Sequence, residues 1–403
     1  MPNPSAGVYK QLAYKAEATY GTLPAAASAQ QLRRLSSNLE LSKDTYQSNE
    51  IRPDLQVADF RHGVRRVKGT ISGDLSCKTF ADFFGAACKR AFATGVVVAG
   101  ASITVAGSGP YTLTRAAGSY LTDGIKVGDV IRLSVGTFNA GNINRNLYVI
   151  GVTATVLTVL TFNGALLVTE GPIASSTVSV QGKKTFIPTT GQVESSFAVE
   201  HYFSDIVQSE VFTGCKVDKI AVNLPPTGLA NISVEFVGQN MTPASAQYFT
   251  SPTPITTTGA LAAVNGIARI NGVQVASLTG LSLSIDPMYS GDPVVGSNVV
   301  PYQFPGFINV TGQATIQFTD VSLRDAFVNE TEIDLYGVFT TDNTATSDFL
   351  AFSMPRIKLL GATKNDGTGS LVLTVPFRAL LNKNGGTGTA TELTTLSVQD
   401  SAA

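Results

Sequence analysis

The side chains of this 403-residue chain whose types could carry chemistry are two histidines, three cysteines and one basic run. His62 lies inside the basic run Arg61-His62-Gly63-Val64-Arg65-Arg66, and His201 lies in a strand-like EHYFSD. A metal site needs several ligands in one coordination shell, and neither HExxH, HxH nor a close cysteine pair occurs. Cys77, Cys88 and Cys215 are odd in number and far apart, so they read as reduced, buried small hydrophobes. No GxSxG elbow presents a nucleophilic serine, and the carboxylates form no spaced pair of the glycosidase type. The glycine-rich Gly385-Gly386-Thr387-Gly388 lacks the lysine and following helix of a phosphate loop, and residues 386–403 read as a flexible tail. A charge run as short as 61–68 is more often a solvated or interfacial patch than a phosphate site. The absence of Trp counts against an aromatic sugar platform. No catalytic residue, metal ligand or cofactor is nominated, and no enzyme is expected.

The elements that would position these side chains are mostly strands. Apolar residues make up 43% and charged residues 14%, with abundant Thr, Ser, Gly and Val, a balance that favours strands and turns. The formal net charge of −1 provides no basic field to recruit nucleic acid. No run approaches the length of a membrane span, and MPNPSAGVYKQ lacks the charged start and apolar run of a secretory signal.

One passage is written twice. GVRRVKGTISGDLSCKTFADFF at 63–84 returns as GFINVTGQATIQFTDVSLRDAF at 306–327. At an offset of 243 (306 − 63) Gly63 meets Gly306, Val67 meets Val310, Gly69 meets Gly312, Asp82 meets Asp325 and Phe84 meets Phe327. Tyr46 meets Tyr289 at the same offset, and Leu39-x-Leu41-Ser42-x-Asp44 matches Leu281-x-Leu283-Ser284-x-Asp286 at 242. Both copies alternate as strands and then switch to a helix-like pattern. Each copy therefore reads as strand, long loop, strand and helix, with helices expected over 79–93 and near 322–329. A second pair of matches, at an offset of 139, suggests two hairpins: Lys219-Ile220 with Lys358-Leu359, Gly228 with Gly367, and Ile232, Val234 and Phe236 with Leu371, Leu373 and Val375. The fall in offset implies about 104 extra residues in copy one (243 − 139 = 104). Strand signals in YTLTRAAGSYL, KVGDVIRLSVG and NLYVIGVTATVLTVL make 94–184 an inserted small β domain.

The expected fold class is all-β with minor α. Residues 1–93 and 185–245 form one unit, 246–272 a linker, 273–385 a second unit and 386–403 the tail. The first 30 residues, poor in apolar side chains, read as an arm that orders on assembly. A chain that repeats one unit usually builds a symmetric or pseudo-symmetric object.

The order of these elements, the N-terminal Tyr14-Lys15-Ala16-Glu17-Ala18-Thr19-Tyr20-Gly21 and the passage Thr185–Met241 resemble the tail-tube (major tail) proteins of long, non-contractile-tailed bacteriophages. The resemblance spans nearly the whole chain outside the insert. It implies β-sandwich or barrel units with a flanking helix, joined edge to edge into rings that stack into a tube through which DNA passes. The implied setting is the virion tail, assembled in the host cytoplasm, with tape-measure and terminator proteins as partners, DNA passing without sequence-specific binding, and no membrane partner. Two units per chain imply a homotrimeric, pseudo-hexameric ring. The polar rows Lys68, Thr70, Ser72, Asp74 and Ser76, with Thr311, Gln313, Thr315, Gln317 and Thr319, become candidate lumen-facing residues. The loops 45–62 and 287–305 become candidate inter-ring contacts, with Asp54, Arg61, Arg65, Arg66, Asp292 and Tyr302 as the side chains. Two other readings compete: a β-rich phage adhesin or receptor-binding tail component, and a β-sandwich hydrolase acting on polysaccharide. The first predicts saturable binding to cell envelopes, and the second needs a convergent polar site.

Overall fold

Alternation of apolar and polar residues builds the central sheet. In the strand Phe60–Asp74, Val67 and Ile71 turn into the core, while Lys68, Thr70, Ser72 and Asp74 turn away from it. In the computed structural model, which describes residues 4–162, 164–366 and 369–403, eight strands follow one another in register through both copies. The order begins with Glu40–Gln47, Phe60–Asp74, Asn231–Gly238 and Gln208–Leu224. It continues with Leu278–Asp286, Asn309–Gln317, Val372–Ala379 and Phe349–Leu359. The second four repeat the first four in the same order. All-β with minor α describes this architecture.

Strand pairing gives a stricter equivalence than residue identity. Gly69 pairs with Phe236 and Gly312 with Phe377, so the offset of 243 places Phe236 on Phe377. Val217 pairs with Phe236 and Leu359 with Phe377, so Val217 corresponds to Leu359. The hairpin offsets are therefore 141 (377 − 236) and 142 (359 − 217), against 139 expected. Leu41 pairs with Val67 and Ile285 with Val310, an offset of 244 against the expected 242. Alternating Val, Ile and Leu look the same after a two-residue slip, which accounts for 141 and 244, while 142 is a three-residue slip because Lys358-Leu359 matches Lys216-Val217 rather than Lys219-Ile220. The helices correspond at 241: Phe84 N–H donates to Phe80 O and Asp325 N–H to Val321 O. Asp82 and Asp325, and Phe84 and Phe327, are thus not equivalent. The helices are Ala81–Ala87 and Ser322–Val328, and the first is half the length its apolar stripe suggested. Gly367, matched in sequence to Gly228, lies outside the described residues.

The strands from Val97–Gly107 to Glu170–Val180 close into a separate barrel. Its Val130, Tyr148 and Phe162 pack on Ile267, Tyr336, Val338 and Phe349 of the second unit. Gln399 fastens the junction, donating to Val130 O and accepting from Val130 N–H, both at 2.9 Å.

Three expectations are corrected. The C-terminal segment is no flexible tail: Ser397–Asp400 is a buried strand between Lys183–Phe186 and Phe349–Leu359. The N-terminal arm contains the strand Lys10–Ala16, paired along its length with Phe197–Phe203, with Leu12 and Tyr14 in the core. Residues 246–272 are more than a linker, since Gly266–Ile270 pairs with Ile333–Thr340 and Phe249 and Leu261 are buried.

Candidate lumen surface and assembly edges

Residues opposite each other in an antiparallel sheet share a face, so the polar rows can be followed from strand to strand. Lys68 lies opposite Glu40 and beside Val237, Thr70 opposite Glu235, Ser72 opposite Ser233 and Asp74 opposite Asn231. The face continues through Lys219, Ala221 and Asn223 to Ser284 and Ser282. Those serines lie beside Thr311 and Gln313, which lie beside Arg378 and Pro376, and Thr315 lies beside Thr374. One surface of hydroxyls, amides and scattered charges of both signs thus crosses both units. Lys219 Nζ and Glu235 Oε1 are 3.8 Å apart on it. The structure joins eight of the ten proposed lumen residues on this face. Ser76 is excluded: it is 2% exposed and shares a 2.7 Å hydrogen bond with Thr79, because the chain has already turned toward the helix. Thr319 is exposed but lies past the end of the strand Asn309–Gln317.

Among the described residues the sheet ends in two unpaired edges. Glu40–Gln47 pairs on one side only, with Phe60–Asp74. The segment that continues Phe349–Leu359, through Thr363–Lys364, pairs on one side with Val372–Ala379. Such edges are templates for another chain.

The long loop of the second unit, 287–308, folds back across the first unit. Lys216 Nζ donates to Gln303 O at 2.9 Å and lies 3.9 Å from the Tyr302 ring centroid and 4.9 Å from that of Tyr289. Arg65 N–H donates to Asn298 O at 2.8 Å, its guanidinium donates to Asn240 Oδ1 at 3.1 Å, and Gln239 Nε2 donates to Val300 O at 3.0 Å. Burial raises the Glu194 carboxyl, but Tyr289, Lys89 and Lys216 donating to it bring it below its ordinary range. Arg65 and Tyr302 are therefore tied inward and cannot serve as free inter-ring contacts. Arg66 sits 3.7 Å from Asp44, and Arg61 pairs with Asp59 at 2.8 Å within its own ribbon. Asp54, paired with Arg52, and Asp292 remain on exposed loop surface. Sequence reading missed Lys216 and Glu194 and took Tyr289 only as a repeat match, because no local motif joins residues so far apart.

One hydrolase-like arrangement needs weighing. Ser37 Oγ is 2.8 Å from His201 Nε2, and Glu210 Oε2 is 3.8 Å from His201 Nδ1. The carboxylate is too distant to orient the ring, which packs edge-on to Phe212 with centroids 5.0 Å apart. Burial holds the imidazole below its ordinary range. His201 is a core residue. The three cysteines are buried free thiols, and burial raises each of them. Among the described residues no three His, Cys, Asp or Glu side chains gather to hold a metal, and no helix is long and apolar enough to cross a membrane.

Residues 9–379 match the family of phage tail tube proteins. The chain belongs to that family. A comparison with curated proteins found no match. The tail tube protein is accordingly a structural component of the virion tail that assembles with copies of itself and other tail components, and its family is not one of enzymes.

Proposed function

We propose that this tail tube protein forms a ring of three chains, that the rings stack into the tail tube, and that the polar face of the eight-stranded sheet lines the conduit for DNA. The carrying observation is the seam inside the chain. The last strand of unit one pairs with the first strand of unit two, from Ile220 opposite Ile285 to Leu224 opposite Leu281. Shifted by the offsets of 142 and 244, the same seam matches the two unpaired edges. Ala362 (220 + 142) falls opposite Leu41 (285 − 244) of the next chain, and Lys364 falls opposite Leu39. Three such seams between chains and three within them close a pseudo-six-fold ring and leave no lateral edge open.

The conduit reading draws on the chemistry of the face. Each ionic contact to phosphate adds salt-dependent affinity, so a face made mostly of hydroxyls and amides, with few cations among carboxylates, holds a passing backbone weakly. The exposed loop at Asp292, together with tape-measure and terminator proteins, completes the stacked tail after assembly in the host cytoplasm. Electron microscopy of the purified full chain tests the reading: hollow rings or tubes are expected. Solid globular particles at every concentration, binding saturably to cell envelopes, would contradict it in favour of the adhesin.

A further inference from the structure

The two long loops are equivalent in the sheet but not in surroundings. Asp286 and Asn309 correspond to Ser42 and Arg66, so the loops contain 22 (309 − 286 − 1) and 23 (66 − 42 − 1) residues. The loop of unit two covers unit one. That of unit one forms a free ribbon, Thr45 opposite His62 and Gln47 opposite Phe60, exposed throughout its tip. Ile51, Leu55 and Val57 stand in solvent there, with Tyr46 and Phe60 half exposed at the base. An apolar tip without a neighbour is what an unfilled contact looks like.

The receiving surface is also duplicated. Lys216 corresponds to Lys358, and each pairs with a carboxylate: Glu194 at 3.1 Å, Glu330 at 2.9 Å. The side chain of Lys216 is 1% exposed because the loop covers it, whereas that of Lys358 is 39% exposed. Beside Lys358, Leu360 and Leu381 face solvent.

We infer that the ribbon 45–62 of one chain lies across the Lys358–Glu330–Leu360–Leu381 surface of its neighbour in the same ring, as 287–308 lies across unit one. This rests on the ring reading. It makes the ribbon a lateral clamp, with Tyr46 and Phe60 supplying the aromatic cover that Tyr289 and Tyr302 supply to Lys216. The partner is a second copy of this chain.

The test joins Phe60→Cys to Lys358→Cys in the assembled full chain with a short bismaleimide, the native thiols being buried. Cross-linked species of two and three chains, and none larger, are expected. A control pair, Glu40→Cys with Thr363→Cys, reports the seam. If the seam pair links and the ribbon pair does not, the clamp is overturned while the ring stands; if neither links in assembled particles, the ring reading itself fails. Ladders beyond three chains from the ribbon pair would mean that it bridges rings, which also overturns the clamp. Hydrogen exchange on the unaltered protein supplies a measurement independent of the variants. Residues 45–62 and 357–360 should gain protection together on assembly, and protection of the ribbon alone would contradict the inference.

Discussion

The helix Ala81–Ala87 buries six of its seven residues, whereas the equivalent Ser322–Val328 buries only Ala326. Phe80, Phe83 and Phe84 of the first correspond to Val321, Arg324 and Asp325 of the second. Phe83 packs on Tyr14, Phe197 and Phe236 with ring centroids 4.8–5.3 Å apart, and Phe84 reaches Phe352 of the second unit at 6.0 Å. Beside the second helix a cleft of about 510 Å³ opens instead, lined by Ile270, Val275, Ile316, Phe318 and Leu323. One backbone plan therefore carries two levels of packing. The helix of unit one is filled in by Tyr14 and Phe197 from the strands Lys10–Ala16 and Phe197–Phe203, and that of unit two is left open. The same contrast separates Lys216 from Lys358.

The largest expected effect is on the filled helix. Phe83→Ala should lower stability by about 3–5 kcal/mol in denaturant unfolding, against about 0.5 kcal/mol for Phe327→Ala on the open helix before assembly. Equal losses would remove the contrast. Lys216→Ala, which strips a buried cation from Glu194 and frees the 287–308 loop, should cost about 3 kcal/mol. Lys358→Ala should cost less than about 1 kcal/mol in the unassembled chain, its ion pair being partly solvated. Both are read from shifts of the unfolding midpoint.

A third pair tests the equivalence rather than the contrast. A Cβ on Gly69 would lie 2.5 Å from Leu39 Cα, and one on Gly312 would strike Ser282 O and the Phe377 ring. Gly69→Ala and Gly312→Ala should each cost about 1–3 kcal/mol by forcing the neighbouring strand away. A large cost at one glycine and none at the other would break the pairing of units.

How much of this was legible can be judged residue by residue. Gly69 and Gly312 were found because glycine at a close approach is irreplaceable, and the alternation around them marked the sheet and its polar face. The registers of the first strand and the second hairpin strand slipped by two residues and that of the first hairpin strand by three, since a short match among Lys, Leu, Val and Ile carries little register information. Ser397–Asp400 was invisible: four residues in a Thr- and Ser-rich stretch become a strand only by pairing with partners remote in the chain. Lys216 was hidden for the same reason, its tyrosines lying at 289 and 302.

A pH-dependent effect concerns that C-terminal strand, which joins the insert to the second unit. Burial pushes the Asp400 carboxyl up to about 6, although it accepts N–H donors from Lys78 and Ala402. The native state then keeps a proton that the unfolded chain releases near pH 4. Stability contributed at Asp400 therefore falls as pH rises between about 4 and 6, by about 2 kcal/mol. Asp400→Asn should flatten that part of the pH–stability curve, and an unchanged slope would assign it elsewhere.

The most direct test of the central claim is a reconstruction of the assembled particle viewed down its axis, at a resolution that separates strands. The account predicts three chains per ring, with Ala362 opposite Leu41 across each boundary between chains and one polar sheet face turned inward. Six chains per ring, or edges Glu40–Gln47 left unpaired in the assembled tube, would contradict it.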